Sequence, residues 1–177
     1  QGVQAPPPKF AIIGFGKLGG KELGYASDLD LVFLYDDADD SGQERYLRLS
    51  RRLVTWLTSM TPAGALYDID LRLRPDGAAG LMVSSLAGFR KYQQQQAWTW
   101  EHQALTRARF VAGDAGVGTA FEALREAILC APRERAPLAE EVVTMRRKMH
   151  VGHPNPTPLF DVKHDAGGMV DIEFIVQ

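Results

Sequence analysis

The sequence has few of the features that mark a secreted, membrane-spanning or nucleic-acid-coating protein. One of its 177 residues is cysteine, Cys130, so no disulfide can form within the chain. This excludes a small disulfide-stapled scaffold and fits a reducing, cytoplasmic compartment. Cys130 itself reads as a small buried apolar residue. No apolar run reaches the roughly 18 residues of a membrane span, and the N-terminus does not read as a secretory leader. Neither sign of charge dominates: 20 Lys and Arg against 22 Asp and Glu give −2 at pH 7. That balance supplies no general electrostatic reason for nucleic acid to be a partner. What is present is an ordinary globular composition, 45% hydrophobic and 24% charged, in a chain long enough for one core or two small ones. The chain does not begin with Met and stops inside the apolar stretch MVDIEFIVQ, so it reads as a piece of a longer polypeptide.

The pattern changes once along the chain. Residues 1–8 are a Pro-rich linker, followed by a short strand at Phe10 to Ile13 and a glycine-rich loop at Gly14 to Gly20. A short helix fits Lys21 to Tyr25, and a central strand fits Asp28 to Tyr35. The acidic run Asp36 to Gly42 is a solvated loop. Apolar spacing then predicts a helix over Glu44 to Met60. A strand over Tyr67 to Arg74 would place Asp68, Asp70, Arg72 and Arg74 on one face, and Leu81 to Val83 is a further short strand. From Ser84 the signals are helical: a first helix capped by Ser84 or Ser85 and running to Trp98, then Trp100 to Phe110, Gly116 to Cys130, Pro137 to His150, and a fifth from Gly168. The expected organisation is a mixed α/β unit at 1–83 followed by a helical unit at 84–177.

GFGKLGG, Gly14 to Gly20, contains the dinucleotide fingerprint GxGxxG, and Asp36 follows at a suitable distance. A dinucleotide fold needs a parallel crossover of a dozen or more residues after it. The segment from Gly19 to Ser27 is too short, and Gly24 interrupts it. A short helix start can still point backbone N–H groups at a phosphate.

Asp28 and Asp30, two apart on a strand, project from one face with side chains roughly 7 Å apart along it. Buried carboxylates need compensating cations. Two Mg²⁺ ions roughly 4 Å apart would supply them and serve phosphoryl chemistry. In the plainer reading Asp28 starts the strand and Asp30 pairs with an arginine. Asp70, some forty residues on, would complete a two-metal cage. Arg72 and Arg74 beside it either offset phosphate charge or neutralise Asp68 and Asp70.

This constellation resembles the nucleotidyltransferase superfamily typified by polymerase β. Four stretches, GFGKLGGKELGYASDLDLVFLYD, LYDIDLRLRPDGAAGLMV, YQQQQAWTWEHQALTRARFVAGD and FDVKHDAGGMVDIEF, resemble glutamine synthetase adenylyltransferase and together cover close to half the chain. The resemblance implies an α+β fold: a polymerase-β-like core with a small mixed sheet, followed by a helical bundle region. It implies transfer of AMP from ATP, with two Mg²⁺ ions, to a tyrosine of glutamine synthetase, with release of pyrophosphate. WTWEHQAL and GGMVDIEF are similar to the adenylylating half of that two-headed family. The alternatives are the homologous AMP-removing half and a noncatalytic partner-binding module. A PII-type signalling protein is the implied regulator of the full-length enzyme.

The resemblance also distributes roles. Asp28, Asp30 and Asp70 would hold the metals, and Asp70 would help deprotonate the tyrosine. Gly19 and Gly20 would offer N–H groups to the β- and γ-phosphates. Lys17, Ser27, Arg72 and Arg74 join them as candidate nucleotide-binding residues. Trp98, Trp100 and Phe110 read as core, and Glu101, Arg107 and Arg109 as salt-bridged structure. His150 and His153 have a loose metal-like spacing without a third ligand. Lys163, Asp171 and Glu173 either fold back toward the nucleotide or form a helix start, with Asp171 at the positive end of the helix dipole.

Overall fold

The computed structural model describes residues 7–37 and 41–177. The expected linker at 1–8 and the acidic loop at 36–42 therefore lie partly outside the described residues. The fold is α+β, built on a small mixed sheet with helices on both faces.

Strand β1, Phe10–Gly14, alternates its side chains between the two faces. Ala11 and Ile13 enter one core, and Phe10 enters the other. It pairs antiparallel with β2, Leu29–Tyr35, as the short connection requires. Between them lies α1, Gly16–Gly19. The expected helix at Lys21 to Tyr25 is a correction: those residues are turn and irregular chain, and the helical turn falls within the glycine stretch itself. Arg109 fixes its end, donating to the carbonyls of Leu18 at 2.9 Å and Gly19 at 3.2 Å.

The next helix, α2, is Ser41–Thr58. Tyr46, Leu47, Leu49, Leu53 and Val54 pack it onto Phe10, Leu31, Phe33 and Tyr35. Tyr46 stacks on Phe10 and Tyr35, with ring centroids 5.6 and 5.2 Å away. A hairpin of β3, Met60–Thr61, and β4, Gly64–Ala65, takes the place of the expected break.

The long strand expected over Tyr67 to Arg74 shortens to β5, Ile69–Asp70. Its cause is local. The Asp70 carboxylate accepts the Arg72 backbone N–H at 2.7 Å, turning the chain off the sheet. Strand β6, Val83–Ser85, then pairs parallel with the far end of β2, while β5 pairs parallel with its start.

Helix α3, Leu86–Gln95, begins at Ser85, whose hydroxyl accepts from Gly88 N–H at 3.0 Å. Helix α4, Thr99–Leu105, ends early. Arg109 and Phe110, expected at its end, instead open β7, Arg109–Gly113, which pairs antiparallel with β1. The region after residue 83 thus supplies a strand to the central sheet. Helices α5, Ala115–Leu129, α6, Arg135–Gly152, and α7, Met169–Val176, complete the chain. Phe89 of α3, Leu105 of α4 and Phe121 of α5 close the second core over Ile13, Val32 and Leu34.

Two core expectations change. Cys130 is exposed at the C-cap of α5, and Trp98 is 70% exposed at the start of α4. Phe110 is partly buried against the second core. None of the helices among the described residues is long and apolar enough to cross a membrane.

Candidate active site

The parallel register of β2 and β5 decides the geometry. It sets Asp30 directly beside Asp70, with Leu29 beside Ile69. Leu29 and Ile69 face the α2 core, so Asp30 and Asp70 emerge together on the opposite face. Asp28 immediately precedes β2 and joins them. One carboxylate oxygen from each of the three lies within 4.8 Å of the others. Asp28 is exposed, and Asp30 and Asp70 are half-buried.

Such crowding has an electrostatic consequence. Burial, then the negative charges of Asp28 and Asp70, push the Asp30 carboxyl up from 3.8 to about 6, against the opposing pull of Arg72 and Arg107. Asp70 moves the other way. Arg72 donates two side-chain hydrogen bonds to its carboxylate and holds it below the usual range. A bound divalent cation would relieve the repulsion among the three acids, and an all-oxygen donor set suits Mg²⁺.

Gly16 walls one side of this cluster. Its φ is +52°, and a Cβ there would lie 2.3 Å from Asp30 Oδ2. Sequence reasoning missed this position and selected Gly19 and Gly20, three and four residues late. Their N–H groups donate to Phe15 and Gly16 carbonyls, each at 2.9 Å, closing the α1 turn. The first-turn N–H groups without intrahelical partners belong to Gly16, Lys17 and Leu18. Gly19 has a packing reason to be glycine: a Cβ would sit 1.7 Å from the Arg107 carbonyl oxygen.

The other expected nucleotide contacts separate. The Lys17 side chain is exposed on α1. Ser27 is occupied in its own turn, its hydroxyl accepting from Gly24 N–H at 3.1 Å. Arg72 stays beside Asp70. Arg74 does not share that face: it donates to the carbonyls of Leu71, Ala78 and Gly80 and so ties together the turn after β5.

A cleft of about 340 Å³ opens beside Asp30, lined by Gly16, Trp100, Gln103, Arg107 and Glu173 among others. A larger one, about 460 Å³ between α4 and α6, contains none of the three carboxylates. Arg107 donates to Glu22 at 2.9 Å and to Glu173. Glu173 thus reaches the cleft. Asp171 does not, since Arg146 and Gly167 N–H hold its carboxylate near α6. The Lys163 side chain is exposed. Glu101 forms no salt bridge among the described residues: it caps α4 through the Trp98 N–H at 2.8 Å and accepts from the Tyr92 hydroxyl at 2.9 Å. Burial and this partner push Tyr92 up to about 12. His153 stacks on His164 with ring centroids 4.6 Å apart.

A family model described as glutamate-ammonia ligase adenylyltransferase matches residues 1–124. The chain belongs to that family. Chains named bifunctional glutamine synthetase adenylyltransferase/adenylyl-removing enzyme are similar to this member. Those of Ralstonia nicotianae and Burkholderia mallei are each 62% identical over 174 and 176 residues, and that of Chromobacterium violaceum is 64% identical over 170. Each match covers 96% of this chain but only 18 or 19% of the relative. This family member therefore spans about a fifth of the length of the curated relatives it matches.

Proposed function

We propose that this chain is a nucleotidyl-transfer domain that adenylylates a tyrosine of glutamine synthetase, using MgATP and releasing pyrophosphate. The observation that carries the reading is the meeting of Asp28, Asp30 and Asp70, which the β2–β5 register brings within 4.8 Å. These three would hold two Mg²⁺ ions. When bound, the ions supply charge neutralisation for the phosphates.

The chain's own residues do the rest. Arg72 keeps Asp70 ionised and so ready as an acceptor. The same pairing makes Asp70 a weaker base, which suits a metal-ligand role better than acceptance of the tyrosine proton. Gly16 leaves room for the Asp30 carboxylate to lie against its backbone, which holds that carboxylate at the cluster. Arg109 holds α1 in place beneath it. In this reading Arg74, Gly19 and Gly20 are framework, and positioning plus electrostatics supply most of the rate. The domain works in the cytoplasm, and in its longer protein a PII-type signalling protein regulates it.

The test is incubation with unmodified glutamine synthetase and MgATP labelled at the α-phosphate. Label should appear on a synthetase tyrosine and should be lost with Asp30→Asn. Phosphate-dependent release of ADP from adenylylated synthetase, without forward transfer, would assign the AMP-removing reaction instead. Equal behaviour of the Asp30→Asn protein would refute the carboxylate site.

A further inference from the structure

The cleft beside Asp30 contains polar groups that the carboxylate site leaves unused. Gln103 on α4 is 8% exposed, and neither its amide oxygen nor its amide nitrogen has a hydrogen-bond partner among the described residues. A buried amide left unpaired is costly, and such groups are rare in folded proteins. This one lines a cleft whose walls include Leu73, Trp100, Met145, Met149 and Phe174, with Asp30 and Gly16 also on its lining.

The chemistry of the amide restricts what could satisfy it. A phosphate offers acceptors alone and would leave the amide oxygen unpaired. A tyrosine hydroxyl can meet only one of the two atoms well. The positive charge of nearby Arg107 is already divided between Glu22 and Glu173, with only its buried Nε–H left without a partner among the described residues, so little of that cation is left to favour an anion. A flat ring carrying a donor next to an acceptor meets both atoms, and the apolar and aromatic walls suit its faces. Glutamine pairs in this bidentate way with the amino group and adjacent ring nitrogen of adenine.

We propose that Gln103 is a specificity-determining residue that reads the adenine edge of the nucleotide. Its amide oxygen accepts from the exocyclic amino group, and its amide nitrogen donates to the neighbouring ring nitrogen. The inference rests on the ATP-using reading above and adds the base subsite to it. Of the lining side chains, Met145 and Met149 are flexible enough to shift and admit a ring.

Equilibrium binding of three Mg²⁺-loaded probes tests it: ATP, purine riboside triphosphate, which lacks the amino group, and inorganic tripolyphosphate. The wild type should prefer ATP over the purine analogue by roughly ten-fold or more. Gln103→Met should bind ATP roughly ten- to a hundred-fold more weakly, bind both nucleotides equally, and keep its affinity for tripolyphosphate. Unliganded, it should melt no lower than the wild type, because two unpaired polar atoms have been replaced by apolar ones. A wild type without preference between the nucleotides overturns the proposal even if the variant does not fold. So does a folded variant that retains the preference. A wild type that binds no MgATP at all overturns the transferase reading as well, whereas ATP binding indifferent to Gln103 removes this inference alone.

Discussion

Replacing Asp30 with its uncharged isostere should stabilise the protein at neutral pH when divalent cations are absent. The Asp30 carboxyl titrates at about 6 instead of 3.8, through burial and the facing charges of Asp28 and Asp70. At 1.36 kcal/mol per pKa unit, a rise of about two units corresponds to about 3 kcal/mol. Asp30 is only half-buried, and solvent screening reduces the effect to about 1–2 kcal/mol. The sign follows from proton linkage. A raised carboxyl pKa means that the folded state binds the proton more tightly than the unfolded chain. The penalty is therefore complete above pH 6, shrinks as pH falls, and is gone below 3.8, where both states are protonated. In chelator at pH 7, Asp30→Asn should raise the melting temperature by about 2–8 °C. The gap between variant and wild type should close as pH approaches 4. Added Mg²⁺ should stabilise the wild type and leave the variant unmoved. A variant that melts below the wild type in chelator at pH 7, or a gap that ignores pH, would refute the claim that like charge and burial strain this cluster.

Two further substitutions probe the frame around it. Gly16→Ala forces a residue to φ +52° and a Cβ to 2.3 Å from Asp30 Oδ2; it should cost about 1–2 kcal/mol from the backbone alone and abolish Mg²⁺-dependent ATP binding, measured by denaturant titration and calorimetry. Glu101→Ala removes the cap of α4 and strands the Tyr92 hydroxyl; chemical denaturation should show a loss of about 2–3 kcal/mol, and the Tyr92 phenol should titrate below its present value of about 12.

Much of the sheet was legible because the residues that build it carry strong local signals. Phe10 to Ile13 and the run from Leu31 to Tyr35 are apolar on both faces, as a strand covered on both sides must be. Their antiparallel pairing followed from chain length alone, since a short link cannot make a parallel crossover. Strand β7 was not legible. Arg109 to Gly113 follows WTWEHQAL with no breaker between them, and its helical and extended patterns are both plausible over five residues. What decides the matter is the open edge of β1, a partner a hundred residues away in sequence. The same override shortened the expected strand at Tyr67 to Arg74. Alternation predicted eight residues, but one side chain, Asp70, captured the backbone N–H of Arg72 and ended the strand.

The acidic residues and the glycines of the site differ in legibility for a related reason. Asp28 and Asp30 share a face by a rule of strand geometry, and an Asp70 on a neighbouring strand needs only the right register to join them. A carboxylate is also conspicuous, because burying it demands an explanation. A glycine explains nothing by itself: Gly14, Gly16, Gly19 and Gly20 are equivalent as letters. They are separated by what a Cβ would strike, which for Gly16 is Asp30 and for Gly19 is the Arg107 backbone. Gln103 is an extreme case. Nothing in its spacing distinguishes it from the other glutamines of the helical region, and its significance lies wholly in two atoms that found no partner. Chemistry that repels its surroundings can be read from the chain. Chemistry that depends on an empty place beside a side chain appears only when the neighbours are known.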